Sequence, residues 1–155
     1  MQKITPCLWF DGRAEEAARF YTSIFPDSRI TEIQHYGEPG PGEPGTVLTV
    51  EFELSGQAFT ALNGGPAFSF TEAISLQVDC GSQEEVDRMS DQLIEGGGEQ
   101  GPCGWVKDRY GLSWQVAPRQ LGEMLRDPER RDAVMRAMLA MRRIDLEELR
   151  RAYAG

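Results

Sequence analysis

Two stretches of the chain carry one pattern. "LWFDGRAEEAARFYTSIFPDS", starting at Leu8, can be laid on "LQVDCGSQEEVDRMSDQLIEGGG", starting at Leu76, with a one-residue gap. In both, an apolar strand runs into a loop, a Glu-Glu pair, an apolar helical stripe and a breaker. A repeat on this scale constrains the fold more than any other feature, because each copy must build the same order of elements around its own apolar face.

The first copy can be read in detail. "ITPCLWF", residues 4–10, reads as a strand, with Pro6 near its start where a missing N–H is tolerable. Asp11 and Gly12 offer a helix cap, and apolar residues at 14, 17, 18, 21, 24 and 25 fall on one helical stripe. Glu15 and Glu16 suit the first turn of that helix, and Pro26 ends it. "SRITEIQHY" reads as a strand whose imperfect alternation points to a bulge. "GEPGPGEPG", 37–45, has too much Gly and Pro for helix or central strand; it is either a plain connector or a lid over a pocket.

"TVLTVEFEL" then alternates strictly. Leu48, Val50, Phe52 and Leu54 share one face, Thr49, Glu51 and Glu53 the other. Ser55 and Gly56 form a two-residue turn that sets Leu54 opposite Gln57, Phe52 opposite Phe59 and Glu51 opposite Thr60.

The second copy begins with "AISLQVD", which sets Ile74, Leu76 and Val78 against Ser75 and Gln77. Ser82 and Glu85 make a capping box, and Val86, Met89, Leu93 and Ile94 a stripe stopped by the glycines at 96–98. A strand at Trp105 and Val106, a solvated polar turn at 107–111 and the strand "LSWQV" follow. Beyond residue 118 the sequence is helix-forming: Ile144, Asp145, Glu148 and Leu149 combine a staple with a capping box, and Met135, Met138 and Met141 recur at helical spacing. The expected class is α+β: a single domain, 1–155, with module one at 1–65, module two at 72–118 and a helical tail at 119–155.

Charge narrows the partners. The net charge is −9, and residues 1–119 hold 8 Lys and Arg against 18 Asp and Glu, whereas 120–155 hold 8 against 7. Such an acidic surface does not suit nucleic acid. No run approaches the ~18 apolar residues of a membrane span, and "MQKITPCLWFDG" has no apolar signal core. Cys7, Cys80 and Cys103 form no C-x-x-C pair and read as buried, reduced thiols of a cytoplasmic protein. His35 is the single histidine, so a zinc site is not expected; it reads as a surface residue or a pocket gate.

Four blocks, "ITPCLWFDGRAEEAARFYTSIFPDS", "TVEFELSGQAFTALNGGP", "CGWVKDRYGLSWQVAP" and "AMLAMRRIDLEEL", together resemble the PhnB-like family, whose members are often labelled 3-demethylubiquinone-9 3-methyltransferases. That family belongs to the vicinal oxygen chelate, or glyoxalase/bleomycin-resistance, superfamily. The resemblance implies paired βαβββ modules, each curling into a half-barrel around a cavity, in a homodimer with pockets between modules or chains. Metal-dependent members place His and Glu on the first and last strands of each module. Here those positions fall near Thr5 or Pro6, near Ala73, near Thr60 or Leu62, and at Gln115, a set that supplies no His or carboxylate. The resemblance therefore implies no metal ligand and no metal chemistry. No glycine-rich loop follows a strand and opens a helix as a nucleotide cofactor would need, so no cofactor is expected.

With that fold, the period of two divides the strands. Leu8, Phe10, Leu48, Val50, Phe52, Phe59, Ile74, Leu76, Val78, Leu112, Trp114 and Val116 go under helices. The candidate ligand-binding residues on the other face are Cys7, Trp9, Thr49, Glu51, Thr60, Ser75, Gln77, Ser113 and Gln115, with Trp105 beside them and Thr5 and Leu62 at the margin. Cys7 is expected to be a buried structural thiol. Three functions fit: a metal-independent protein that binds a small, planar or aromatic molecule; a metal-independent enzyme on a small carbonyl or phenolic substrate, with Glu51 as acid/base; or a non-catalytic dimeric interaction module. No catalytic residue is fixed by the sequence.

Overall fold

The strictly alternating stretch folds as its spacing dictates. In the computed structural model, which describes residues 2–155, β3 (Val47–Leu54) and β4 (Gln57–Asn63) form an antiparallel hairpin. Ser55 and Gly56 take φ of 48° and 86°, the left-handed pair of a type I′ turn. The register is the expected one: Leu54 faces Gln57, Phe52 faces Phe59 and Glu51 faces Thr60.

Around this hairpin the first unit, Met1–Ser69, closes. β1 (Cys7–Phe10) pairs parallel with β4 and β2 (Arg29–His35) antiparallel with β3, giving the order β1-β4-β3-β2. Helix α1 (Ala14–Ile24) lies on one face of that sheet and buries Ala14, Ala17, Ala18, Tyr21 and Ile24. Beneath it are Leu8, Phe10, Val50, Phe52, Leu54, Phe59 and Ala61, all buried. The Phe52 ring stacks between Tyr21 and Phe59, with centroids 6.3 and 5.5 Å away. Leu48, at the open end of the hairpin, is half-buried.

Three expectations are corrected here. β1 begins at Cys7 rather than residue 4, leaving Thr5 exposed and Ile4 83% exposed. Asp11 and Gly12 do not cap α1; the N-cap is Arg13, without a side-chain cap bond, and the Ala14 amide donates to Asn63 Oδ1 at 2.9 Å. Cys7 is exposed rather than buried. The imperfect alternation of β2 has its cause in a bulge: Ile30 faces Phe52 and Glu32 faces Glu51, so Thr31 is the extra residue. That insertion reverses the parity, and both Ile30 and Ile33 reach the helix-covered side.

The second unit, Phe70–Gly155, repeats the plan. β5 (Ser75–Cys80) pairs parallel with β8 (Ser113–Pro118), and β7 (Trp105–Lys107) and β6 (Glu99–Gln100) complete the order β5-β8-β7-β6. Helix α2 (Gln83–Ile94) is capped by Ser82, whose side chain accepts from the Glu85 amide at 3.2 Å. It buries Val86, Met89 and Leu93 on the side of Val106, Trp114 and Val116. The sequence reading missed β6, which has only two residues. Ile74, expected under a helix, precedes β5 and is 56% exposed.

The tail forms α3 (Arg119–Leu125), α4 (Arg131–Leu139) and α5 (Leu146–Ala154). Asp145 caps α5 as expected, accepting from the Glu148 amide at 3.2 Å. Leu121, Val134, Met141, Ile144 and Leu149 make a cluster of their own within this unit. Of the recurring methionines, Met141 is buried, Met138 half-buried and Met135 exposed.

Candidate functional site

Residues directly opposite each other in a sheet share a face, so the register places every candidate side chain. In the first unit, Cys7, Thr60, Glu51 and Glu32 form one row across all four strands, and Trp9, Leu62, Thr49 and Gln34 form the next. Both rows lie on the face away from α1. In the second unit, Gln77, Gln115 and Trp105 form one row, and Ser75, Ser113, Lys107 and Glu99 another. These rows lie on the face away from α2. Each unit thus gathers its own share of the predicted residues on one helix-free surface.

The groups on these surfaces differ in how free they are. The Trp9 indole N–H donates to the Gly65 carbonyl at 2.8 Å, and the Phe68 ring meets it edge-on at 4.8 Å. Segment 64–68 therefore fixes the orientation of Trp9. Gln115 Nε2 donates to Ser75 Oγ at 2.8 Å, which sets the amide in place on the sheet. Ser113 is buried, whereas Gln77 is exposed and Thr49, Thr60 and Trp105 are half-buried.

Glu51 is exposed and has Glu32 directly across the β2–β3 pair. The Glu32 side chain, hydrogen-bonding with Glu51, raises the Glu51 pKa; partial desolvation and the Glu32 charge push in the same direction. Glu51 therefore holds a proton more tightly than an isolated Glu does. The Cys7 residue is exposed, yet its neighbours cover enough of the thiol to raise its pKa, which disfavours the nucleophilic thiolate. Burial, aided by the charges of Glu85 and Asp79, pushes the Cys80 thiol up to about 12. Glu32 and Gln34 escaped the sequence reading because the bulge at Thr31 hid which face they occupy.

The turn at 107–111 is not a solvated loop. Asp108 is only 2% exposed, and its carboxylate accepts from the amides of Tyr110 and Leu112 and from the Trp114 indole N–H, at 2.9, 3.0 and 2.9 Å. The polar residues of this stretch are organised as a hydrogen-bonded turn around Asp108.

A separate cleft of about 500 Å³ lies at the N-terminal end of α1, bounded by Asp11, Glu15, Tyr36, Gly42, Asn63 and Pro66 among others. Loop 37–45 supplies part of its wall through Pro41 and Gly42. The loop's base is pinned by bonds from the Tyr36 amide to Thr46 O and from the Gly45 amide to Tyr36 O, both 2.8 Å. None of the predicted ligand-binding residues borders this cleft. Periodicity could not have found it, because it lies beyond the strand ends.

The donor set does not fit a catalytic metal. The resemblance assigns metal ligands to positions near Thr5 or Pro6, near Ala73, near Thr60 or Leu62 and at Gln115, none of which is a His or a carboxylate, and the Gln115 amide is engaged with Ser75. Among the described residues no three His, Cys, Asp or Glu side chains gather as a metal centre would need. The strand-to-helix junctions do not fit a nucleotide cofactor either. The first amide of α1 is taken by Asn63, and Ser82 caps α2. No helix among the described residues is long and apolar enough to cross a membrane.

Comparison with known proteins gives the lineage. A family model described as 3-demethylubiquinone-9 3-methyltransferase matches residues 2–117. Among solved structures, the PhnB protein from Bacillus cereus is 42% identical, with a TM-score of 0.66, over 76% of this chain and 99% of that one. Protein PA1353 from Pseudomonas aeruginosa is 22% identical, with a TM-score of 0.61, over 76% of this chain and 98% of that one. A glyoxylase/bleomycin resistance protein/dioxygenase domain from Frankia sp. EAN1pec is 16% identical, with a TM-score of 0.44, over 74% of this chain and 94% of that one. No curated protein matches.

Proposed function

The chain belongs to the 3-demethylubiquinone-9 3-methyltransferase, or PhnB-like, family, with a glyoxalase/bleomycin-resistance-like fold, and on that premise we propose that it is a metal-independent small-molecule binding protein. The observation that carries this is the sorting of side chains in each sheet. Apolar residues fill the helix-covered face, and the helix-free face presents Cys7, Trp9, Thr49, Glu51 and Thr60 in one unit and Ser75, Gln77, Trp105, Ser113 and Gln115 in the other. Each of these surfaces, with hydroxyls, an indole ring and a carboxyl in the first unit and hydroxyls, amides and an indole ring in the second, suits a planar molecule with a few polar groups. Cytoplasmic location and a homodimer complete the proposal; sedimentation at micromolar concentration checks the dimer.

The methyltransferase in the family's name is not part of this proposal. Methyl transfer would call for a bound methyl donor, and at the two strand-to-helix junctions the Ala14 amide donates to Asn63 and the Glu85 amide to Ser82 rather than lining a glycine-rich cradle.

The test is a thermal-shift and tryptophan-fluorescence screen against small aromatic and carbonyl compounds. A ligand at about 100 times its Kd stabilises the folded state by about 2.7 kcal/mol. Thr60→Phe, which fills the first helix-free face, should weaken binding of any hit at least roughly tenfold, the effect of blocking a contact surface. Hits that bind Thr60→Phe and Ser113→Phe as tightly as the parent would sink the proposal. So would a tightly held Fe, Ni or Zn, one per chain, in purified protein.

A second reading rests on one observation, the Glu32–Glu51 pair that raises the Glu51 pKa. Such a carboxyl can move a proton on a small carbonyl or phenolic substrate. Glu51→Gln should then abolish turnover of any substrate found while leaving its binding within a few-fold; unchanged turnover removes this reading.

A further inference from the structure

The helical tail lies outside the matched family segment, which ends at residue 117. The Bacillus cereus protein is accounted for almost end to end by 76% of this chain.

Between α4 and α5 the chain runs back along the short 3-10 turn at Pro102–Gly104, immediately before Trp105. The Cys103 amide donates to Met141 O at 2.9 Å and the Gly104 amide to Arg142 O at 2.7 Å. Cys103 and Gly104 hold φ of 56° and 83°, a left-handed pair that a non-glycine residue such as Cys103 adopts only against a cost. A β-carbon at Gly104 would stand 2.7 Å from Val116 O and 2.8 Å from Ile144 Cγ1, so the kink is closed between strand β8 and the tail. Ile144 itself is fully buried.

Further bonds hold the tail in that position. Gln83, on α2, donates to Ile144 O at 2.9 Å and accepts from the Leu146 amide at 2.7 Å. Arg143 pairs with Asp91 at 2.6 Å, and Arg142 donates to the Gln100 carbonyl. Gln100 in turn donates through its side chain to Trp105 O at 3.0 Å, and the Gly101 amide donates to the same carbonyl at 2.7 Å. The approach to Trp105 is thus tied to the tail at the Cys103 and Gly104 amides and through Gln100, while the Trp105 amide itself donates to Pro102 O and Trp105 pairs with Gln115 on β8.

We infer that segment 141–144 of the tail is a clamp that sets the position of Trp105 on the helix-free face of the second unit, and that Gln83 and Ile144 are its positioning residues. The inference rests on the proposed ligand-binding reading only for its consequence: a ligand meeting Trp105, Gln115 and Gln77 would meet a Trp whose placement depends on the tail. The clamp itself is a statement about contacts within one unit.

Hydrogen exchange and two-dimensional 15N NMR on the full chain, without ligand, test it. In Gln83→Ala, loss of the two bonds to the tail should speed exchange of the Cys103 and Gly104 amides roughly ten- to thirtyfold. The Trp105 indole resonance should shift, while the Trp9 indole, in the other unit, stays in place. In the parent protein under mild denaturant, the Cys103 and Gly104 amides should open together with the Leu149 amide of α5. If these amides open instead with strand β8, or if Trp105 is unmoved when exchange at 103 and 104 has risen, the clamp is refuted. Unchanged exchange at 103 and 104 in both Gln83→Ala and Ile144→Ala refutes it equally; should Ile144→Ala fail to fold, the parent measurement decides. Because the readout needs no ligand, failure to find a binder would count against the proposed function and leave the clamp standing.

Discussion

Asp108, in the turn between β7 and β8, and Glu51, on β3, are both carboxylates, and their surroundings give them opposite roles. Asp108 is buried and accepts from the Tyr110 and Leu112 amides and the Trp114 indole, so Asp108→Ala leaves the buried Leu112 and Trp114 donors without this acceptor. We expect it to lower the unfolding free energy by about 3 kcal/mol, as a shifted urea midpoint, with a smaller loss for Asp108→Asn. Glu51 is exposed, faces a second carboxylate and has a raised pKa. A carboxyl whose folded pKa is raised binds its proton more tightly folded than unfolded. Its ionisation therefore penalises the folded state at neutral pH, and the penalty fades as pH falls through the raised value toward the ordinary 4.5. Glu51→Gln should match or exceed the parent's stability at pH 7, with the difference vanishing below about pH 4.5. A parent that gains on the variant as pH rises would show that the sign is wrong.

Among the elements, the β3–β4 hairpin was the most legible in the sequence and α1's start the least. The hairpin followed from unbroken period-two spacing and a turn dipeptide, both local signals. The start of α1 depends on Asn63, 49 residues along the chain, which no local pattern reveals. Asn63 also donates to Val47 O at 3.1 Å, and its carbonyl accepts from the Tyr36 hydroxyl at 2.5 Å. One side chain thus ties the entry of α1 to the entry of β3. Asn63→Ala should cost about 1–2 kcal/mol, with the first turn of α1 losing amide protection before the sheet does. Asn63→Asp keeps the acceptor for Ala14 and should recover part of that loss. The bulge in β2 explains a second limit: alternation signalled that something interrupts the strand, but only pairing with β3 shows that Thr31 is the extra residue. The same limit hid Glu32, while the candidate residues on β3, β4, β5 and β8 were readable because no insertion breaks the β3–β4 or β5–β8 pairing.

At the scale of the whole molecule, the repeat read from two strings of sequence is two sheets with the same strand order. Each unit has its own core. Phe52→Ala, which empties the site between Tyr21 and Phe59, should cost about 4 kcal/mol in chemical unfolding. The tail's helices were legible from composition, but their grip on the 3-10 turn before Trp105 was not, because backbone bonds leave no trace in residue type. The strand order has a kinetic consequence as well. In each unit the first strand pairs with the last, Cys7 with Thr60 and Ser75 with Ser113. The hairpin between neighbours can form in roughly 1–10 μs, but the parallel partner must wait for a long stretch of chain to fold back. During synthesis, β1 therefore leaves the ribosome with nothing to pair with inside its own unit until β4 has followed it out. Its apolar Leu8 and Phe10 lack their β4 partners Ala61 and Asn63 over that interval.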